Sequence, residues 1–98
     1  MASAQAALRA AKEVGAKDVP KAQLHQQLAQ EQVDQANKLI KEGENERAEM
    51  ILRRAQADAE LAVAMAREAN TQKRAELAEA ALSPTPGQPP QTMQATAK

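Results

Sequence analysis

The chain contains one histidine, His25, the residue type most often used for proton transfer and metal binding near neutral pH. Its neighbours four residues away are Lys21 and Ala29. No carboxylate or second imidazole therefore stands at the spacing that a metal pair on one helix requires. We interpret His25 as a solvated or half-buried structural residue, and the sequence predicts no catalytic, cofactor-binding or metal-ligating residue.

Composition excludes further kinds of site. The chain has no cysteine, which rules out disulfides and thiolate metal ligands. Thirteen basic side chains balance thirteen acidic ones, so no net charge attracts nucleic acid. The longest apolar run, Leu61 to Ala66, is far shorter than the roughly 20 residues of a membrane-spanning helix. We therefore expect a protein partner, either a second copy or another protein, with no nucleic acid and no transmembrane segment in this chain.

Several polar and sulfur-containing side chains have predicted partners. Glu49 and Arg53 are spaced for an ion pair along one helix, and Arg54 and Asp58 have the same spacing. Gln32 falls on the apolar side of its helix and needs a buried partner.

Met50 and Met65 are predicted to fill gaps in the core or at its edge. The remaining basic side chains are interleaved with acids and predict a solvated helix face: Arg47, Lys73 and Arg74.

Glycine and proline divide the chain into helices. Apolar spacing predicts a first helix from Ala2 to about Val14, which Gly15 ends in a left-handed conformation. Asp18 and Pro20 form a start signal for the second helix, since aspartate accepts hydrogen bonds from free amides and proline is tolerated in the first turn. The second helix has apolar residues over nearly half its circumference, so we predict that it is the central one.

The second helix is expected to end near Glu42, with Gly43 making a short turn. Asn45 is the predicted N-cap of a third helix that runs from Glu46 to about Leu82. A turn this short makes the second and third helices antiparallel. At about 1.5 Å per residue the third helix is the longest and must overhang its partners or bend.

A seam of small residues follows the third helix at spacings of three or four. Alanine buries only a methyl group, so such a seam is useful where a neighbouring helix approaches closely, near the short end of the roughly 8–10 Å range. We define the seam as Ala48, Leu52, Ala55, Ala59, Ala62, Ala66 and Ala69.

These patterns predict an all-α fold: a three-helix up-down-up bundle over residues 1–82, with an alanine-rich long third helix. Residues 83–98 are rich in proline, glutamine and threonine, which predicts a disordered tail.

One set of residues across the three predicted helices carries a family resemblance: Gly15, Ala16, Val19, Pro20, Leu24, Leu28, Ala36, Leu39, Gly43, Glu44, Ala48, Leu52, Ala55, Asp58, Ala59, Leu61 and Ala62. In these residues the chain resembles the small helical domain family DUF4398 over about residues 4 to 69. That family occurs in envelope proteins of Gram-negative bacteria, often behind a signal peptide or lipoprotein signal and sometimes ahead of an OmpA-like peptidoglycan-binding domain. The resemblance implies a location in the periplasm or at the outer membrane and a structural or interaction role of unknown biochemistry.

An alternative rests on the hairpin between the second and third helices. The spacing of Gly43, Ala48, Leu52 and Ala55 is similar to a tetratricopeptide repeat, in which glycine permits the turn and small residues let two helices touch. Asn45 stands where both patterns usually carry an aromatic residue. This alternative implies a helical adaptor that binds a partner protein in the cytoplasm.

Overall fold

A computed structural model describes residues 1–82, which form three α-helices. They are α1 (Ala2–Glu13), α2 (Pro20–Lys41) and α3 (Asn45–Leu82), with a 3-10 turn (Ala16–Asp18) between α1 and α2. The predicted all-α, three-helix fold is confirmed. The predicted tail, residues 83–98, lies outside the described residues.

The core contacts fix the helix directions. Leu8 of α1 lies in one cluster with Val33 of α2 and Ala59 of α3. Further along α1, Ala11 lies in a second cluster, with Ala22 of α2 and Ala66 of α3. Residue numbers therefore rise together in α1 and α3 and fall in α2, which is the up-down-up arrangement.

The shared helix of the bundle is α3, because both α2 and α1 pack on it more extensively than they pack on each other. The prediction that α2 is central was wrong. Two of the residues that widen its apolar arc, Leu24 and Ile40, are 55% and 42% exposed. In addition, α1 covers only part of the hairpin, since a third cluster joins Leu39 of α2 to Ala48 of α3 without any α1 residue.

A left-handed glycine ends α2. Gly43 has φ 81°, a conformation that costs a residue with a Cβ more than it costs glycine. The amide of Glu44 donates to the carbonyl of Leu39 at 2.8 Å, and the amide of Gly43 donates to that of Ile40 at 3.0 Å. These two bonds form a Schellman motif that satisfies free carbonyls at the helix end. The helix α3 begins at Asn45, one residue earlier than predicted, so Asn45 is its first helical residue and the prediction that it caps the helix was wrong.

The connection between α1 and α2 uses Gly15 (φ 78°) and Pro20 at the first position of α2. The predicted cap by Asp18 was wrong. Val19 occupies the N-cap position in an extended conformation, and no side chain hydrogen-bonds to the cap of α2. Asp18 instead belongs to the 3-10 turn, where its amide donates to the carbonyl of Gly15 at 3.0 Å.

Alanine dominates the interior. Eleven of the fourteen buried apolar residues among the described ones are alanine, and the three larger ones are Leu8, Val33 and Leu39. Alanine contributes little apolar area per residue. The bundle therefore depends on many small contacts distributed along α3.

Candidate functional site

The predicted seam lies on the side of α3 that faces the other helices. Leu52 and Ala69 are half-buried, and the other five seam residues are 0–1% exposed: Ala48, Ala55, Ala59, Ala62 and Ala66. The seam residues are shared among the three core clusters, and Ala69 lies beyond them. This surface is occupied by the protein's own helices and is not available to a ligand.

A polar cluster bridges α2 and α3. Nδ1 of His25 lies 3.2 Å from Oδ1 of Asp58, and the side-chain amide of Gln32 donates to Oδ2 at 3.0 Å. A carboxylate can only accept, so Nδ1 carries the proton in this bond. The His25 and Asp58 side chains are 24% and 23% exposed. Both carboxylate oxygens are thus used across the helix interface.

The predicted pairing of Asp58 with Arg54 was wrong, because Asp58 turns towards α2 and Arg54 makes no ion pair with it. Gln32 does find the partner that its position required, although its amide oxygen is buried without a hydrogen bond. Across residues 1–82, no group of three or more histidine, cysteine, aspartate or glutamate side chains is placed to hold a metal ion. The cluster links two helices in a fixed register.

Met50 and Met65 differ in how deeply they are buried. Met65 packs at the edge of the second core cluster, as predicted for a gap filler. Met50 is 62% exposed, so its placement in the core or at its edge was wrong. The sequence pattern missed that α3 also carries apolar residues on its outward face.

The C-terminal part of α3 extends past the other helices. The side-chain amide of Asn70 donates to the carbonyl of Val14 at 3.3 Å, which joins this level of α3 to the end of α1. All residues from Asn70 to Leu82 are exposed. Leu77 and Leu82 are 61% and 59% exposed. We call residues 74–82 the extension.

Charged side chains on α3 are arranged along the solvated face as expected. Arg53 donates to Glu49 at 3.2 Å in the predicted i,i+4 pair, with both side chains well exposed. An exposed pair of this kind contributes little to stability. No helix within residues 1–82 is both long and apolar enough to cross a membrane.

Comparison with known proteins gives a family match. A family model described as "Domain of unknown function (DUF4398)" matches residues 1–78. The matched segment contains all of α1 and α2 and continues along α3 into the extension. Neither the curated proteins nor the solved structures give a match to the chain.

Proposed function

The chain belongs to the DUF4398 family, and we propose that its domain is a non-catalytic structural and interaction module of the bacterial cell envelope. In this proposal α1 and α2 hold the first part of α3, and α3 presents its exposed surface to a protein partner. The envelope location is supported by what the family resemblance implies.

The extension of α3 is the observation that carries this proposal. Residues 74–82 form helix beyond the bundle and expose Leu77 and Leu82. The extension is the end of a continuous helix whose residues here are all exposed, so it gains little stabilisation from tertiary packing. The family match reaches residue 78, which places part of the extension inside the family domain. A protein partner would bury these leucines.

The interaction role is tested by site-specific photo-crosslinking in the cell that produces the protein. A photoreactive amino acid replaces Leu77 in one variant and Lys38, an exposed residue of α2, in the matched control. We expect a discrete protein adduct from position 77 and none from position 38. The absence of an adduct at position 77 would overturn the interaction role.

The location is tested separately on the full natural gene product. We expect external protease to digest it in spheroplasts and to spare it in intact cells. Protection in intact spheroplasts, with digestion only after lysis, would reject the envelope location. That result would favour the alternative of a cytoplasmic adaptor, which rests on the tight α2–α3 hairpin at Gly43.

A further inference from the structure

The outward face of α3 carries a second regular pattern, which we call the outer stripe. Its positions alternate in steps of four and three residues, and every one of them is exposed. Seven of the ten are apolar, and they include Met50 at 62%, Leu61 at 41% and Leu82 at 59% exposure. The outer stripe comprises Met50, Arg54, Ala57, Leu61, Ala64, Glu68, Thr71, Ala75, Ala78 and Leu82.

The outer stripe and the buried seam lie on opposite sides of the same helix. At 100° per residue, Ala57 and Ala48 are half a turn apart around α3, and Ala57 is exposed whereas Ala48 is buried. The stripe spans both the bundle and the extension, whereas the seam ends at Ala69. A repeat of 3.5 residues sustained over more than four heptads is typical of a helix that pairs in a left-handed coiled coil.

We propose that the occupant of the outer stripe is a second copy of this chain, whose α3 packs antiparallel to the first. This inference goes beyond the proposed function, because Leu82 belongs to the outer stripe whereas Leu77, the crosslinking position, does not. Two charged positions within the stripe support it. Arg54 and Glu68 are both exposed. Reversing the second helix about a two-fold axis between Leu61 and Ala64 brings these opposite charges within about one helical turn of each other.

The parallel arrangement is disfavoured by the same residues. In register, Arg54 would face Arg54 of the second copy and Glu68 would face Glu68, and like charges within a helix pair are destabilising. In the antiparallel pair Arg54 lies within about one helical turn of Glu68 of the second copy. The chain has no net charge that would oppose association at long range.

The antiparallel register also places a large side chain of one copy beside a small one of the other and brings opposite charges at the edge of the outer stripe together. With the axis near the middle of α3, Leu61 packs beside Ala64 of the second copy, and Glu60 approaches Arg67. A groove beside Ala64, bordered by Ala6 and Ala10 of α1, leaves room for the approaching helix. Nearly the whole of α3, 38 residues or roughly 57 Å, overlaps in this arrangement. The same register brings Arg53 towards Arg74 of the second copy, which is a like-charge approach. The carboxylate of Glu49, paired with Arg53, reduces that repulsion.

A charge-reversal cycle tests the pairing on the full chain by sedimentation equilibrium. We expect a dimer whose dissociation constant rises about tenfold in Arg54→Glu and returns towards the original value when Glu68→Arg is added. Fourteen residues separate these positions, too far for contact within one helix, so rescue must come from the second copy. Lys38→Glu, an exposed charge reversal on α2, is the matched control and should leave the constant unchanged.

Disulfide trapping tests the orientation, because the chain has no cysteine of its own. Ala64→Cys lies close to the proposed axis and should form a cross-linked dimer in a glutathione redox buffer. Ala78→Cys should not, because the two copies of residue 78 are about 45 Å apart in an antiparallel pair. Equal trapping at both positions would overturn the antiparallel arrangement.

A chain that remains monomeric at millimolar concentration would overturn self-pairing altogether. That result would not affect the proposed function, which is tested independently by the protein adduct at position 77. Failure of the proposed function would instead appear as absence of any adduct at that position in cells.

Discussion

Replacing Ala55 with leucine tests whether the methyl-sized contacts hold the helices close together. Ala55 is 0% exposed and lies in a core cluster whose buried members are all alanine except Leu8 and Val33, with half-buried Leu52 packed against it. Three added carbon atoms have no space there, and few neighbouring side chains can rotate away. We expect the free energy of unfolding to fall by about 1–3 kcal/mol, the usual cost of overpacking a core.

The matched control is Ala57→Leu, the same change two residues away on the exposed face of α3. Measured at low concentration, it should lie within about 0.5 kcal/mol of the parent chain. In a domain of this size each kcal/mol corresponds to roughly 4–8 °C in melting temperature. Thermal unfolding followed by circular dichroism separates the two variants. Equal melting temperatures for both would refute close packing along the seam.

Two further changes test the polar groups between the helices. Asp58→Ala removes the acceptor shared by His25 and Gln32 and should lower the free energy of unfolding in urea by about 1–3 kcal/mol. The control Asp34→Ala breaks only an exposed hydrogen bond within α2 and should be nearly neutral. Equal losses of stability in both variants would contradict an interhelical role for Asp58. Gln26→Met removes a buried amide oxygen that has no hydrogen-bond partner, so it should stabilise the domain by about 0.5–1 kcal/mol. A loss of stability would show that this oxygen does accept a hydrogen bond.

The helix boundaries were predictable because their signals are local. Gly15 and Gly43 both adopt the left-handed conformation expected of a glycine that ends a helix, and Pro20 occupies the first helical position. These preferences depend on the backbone of a few consecutive residues and little on the rest of the fold. The same signals gave the number and order of the helices.

The partner of Asp58 was not predictable from spacing within one helix. The i,i+4 rule considers only neighbours along α3 and therefore selected Arg54. The observed partners, His25 and Gln32, are on α2, and their distance from Asp58 depends on how the two helices are aligned. One signal was present: His25 and Gln32 are seven residues apart, two turns along the same face. Two polar residues on that face, beside an apolar stripe, indicate a shared partner across the interface.

The distribution of large apolar side chains shows how many of them the bundle leaves exposed to solvent. Among the described residues only three large hydrophobic side chains are buried in the core, whereas seven are exposed, among them Met50, Leu61, Leu77 and Leu82. Full burial of one such side chain is worth roughly 1.5–3 kcal/mol, several times the contribution of an alanine methyl group. A bundle helix usually directs its largest apolar residues inward. In α3 the inward positions are mostly alanine, whereas the outer stripe holds Met50, Leu61 and Leu82, so a helix that packs on the stripe would bury larger apolar side chains than the inward face of α3 does.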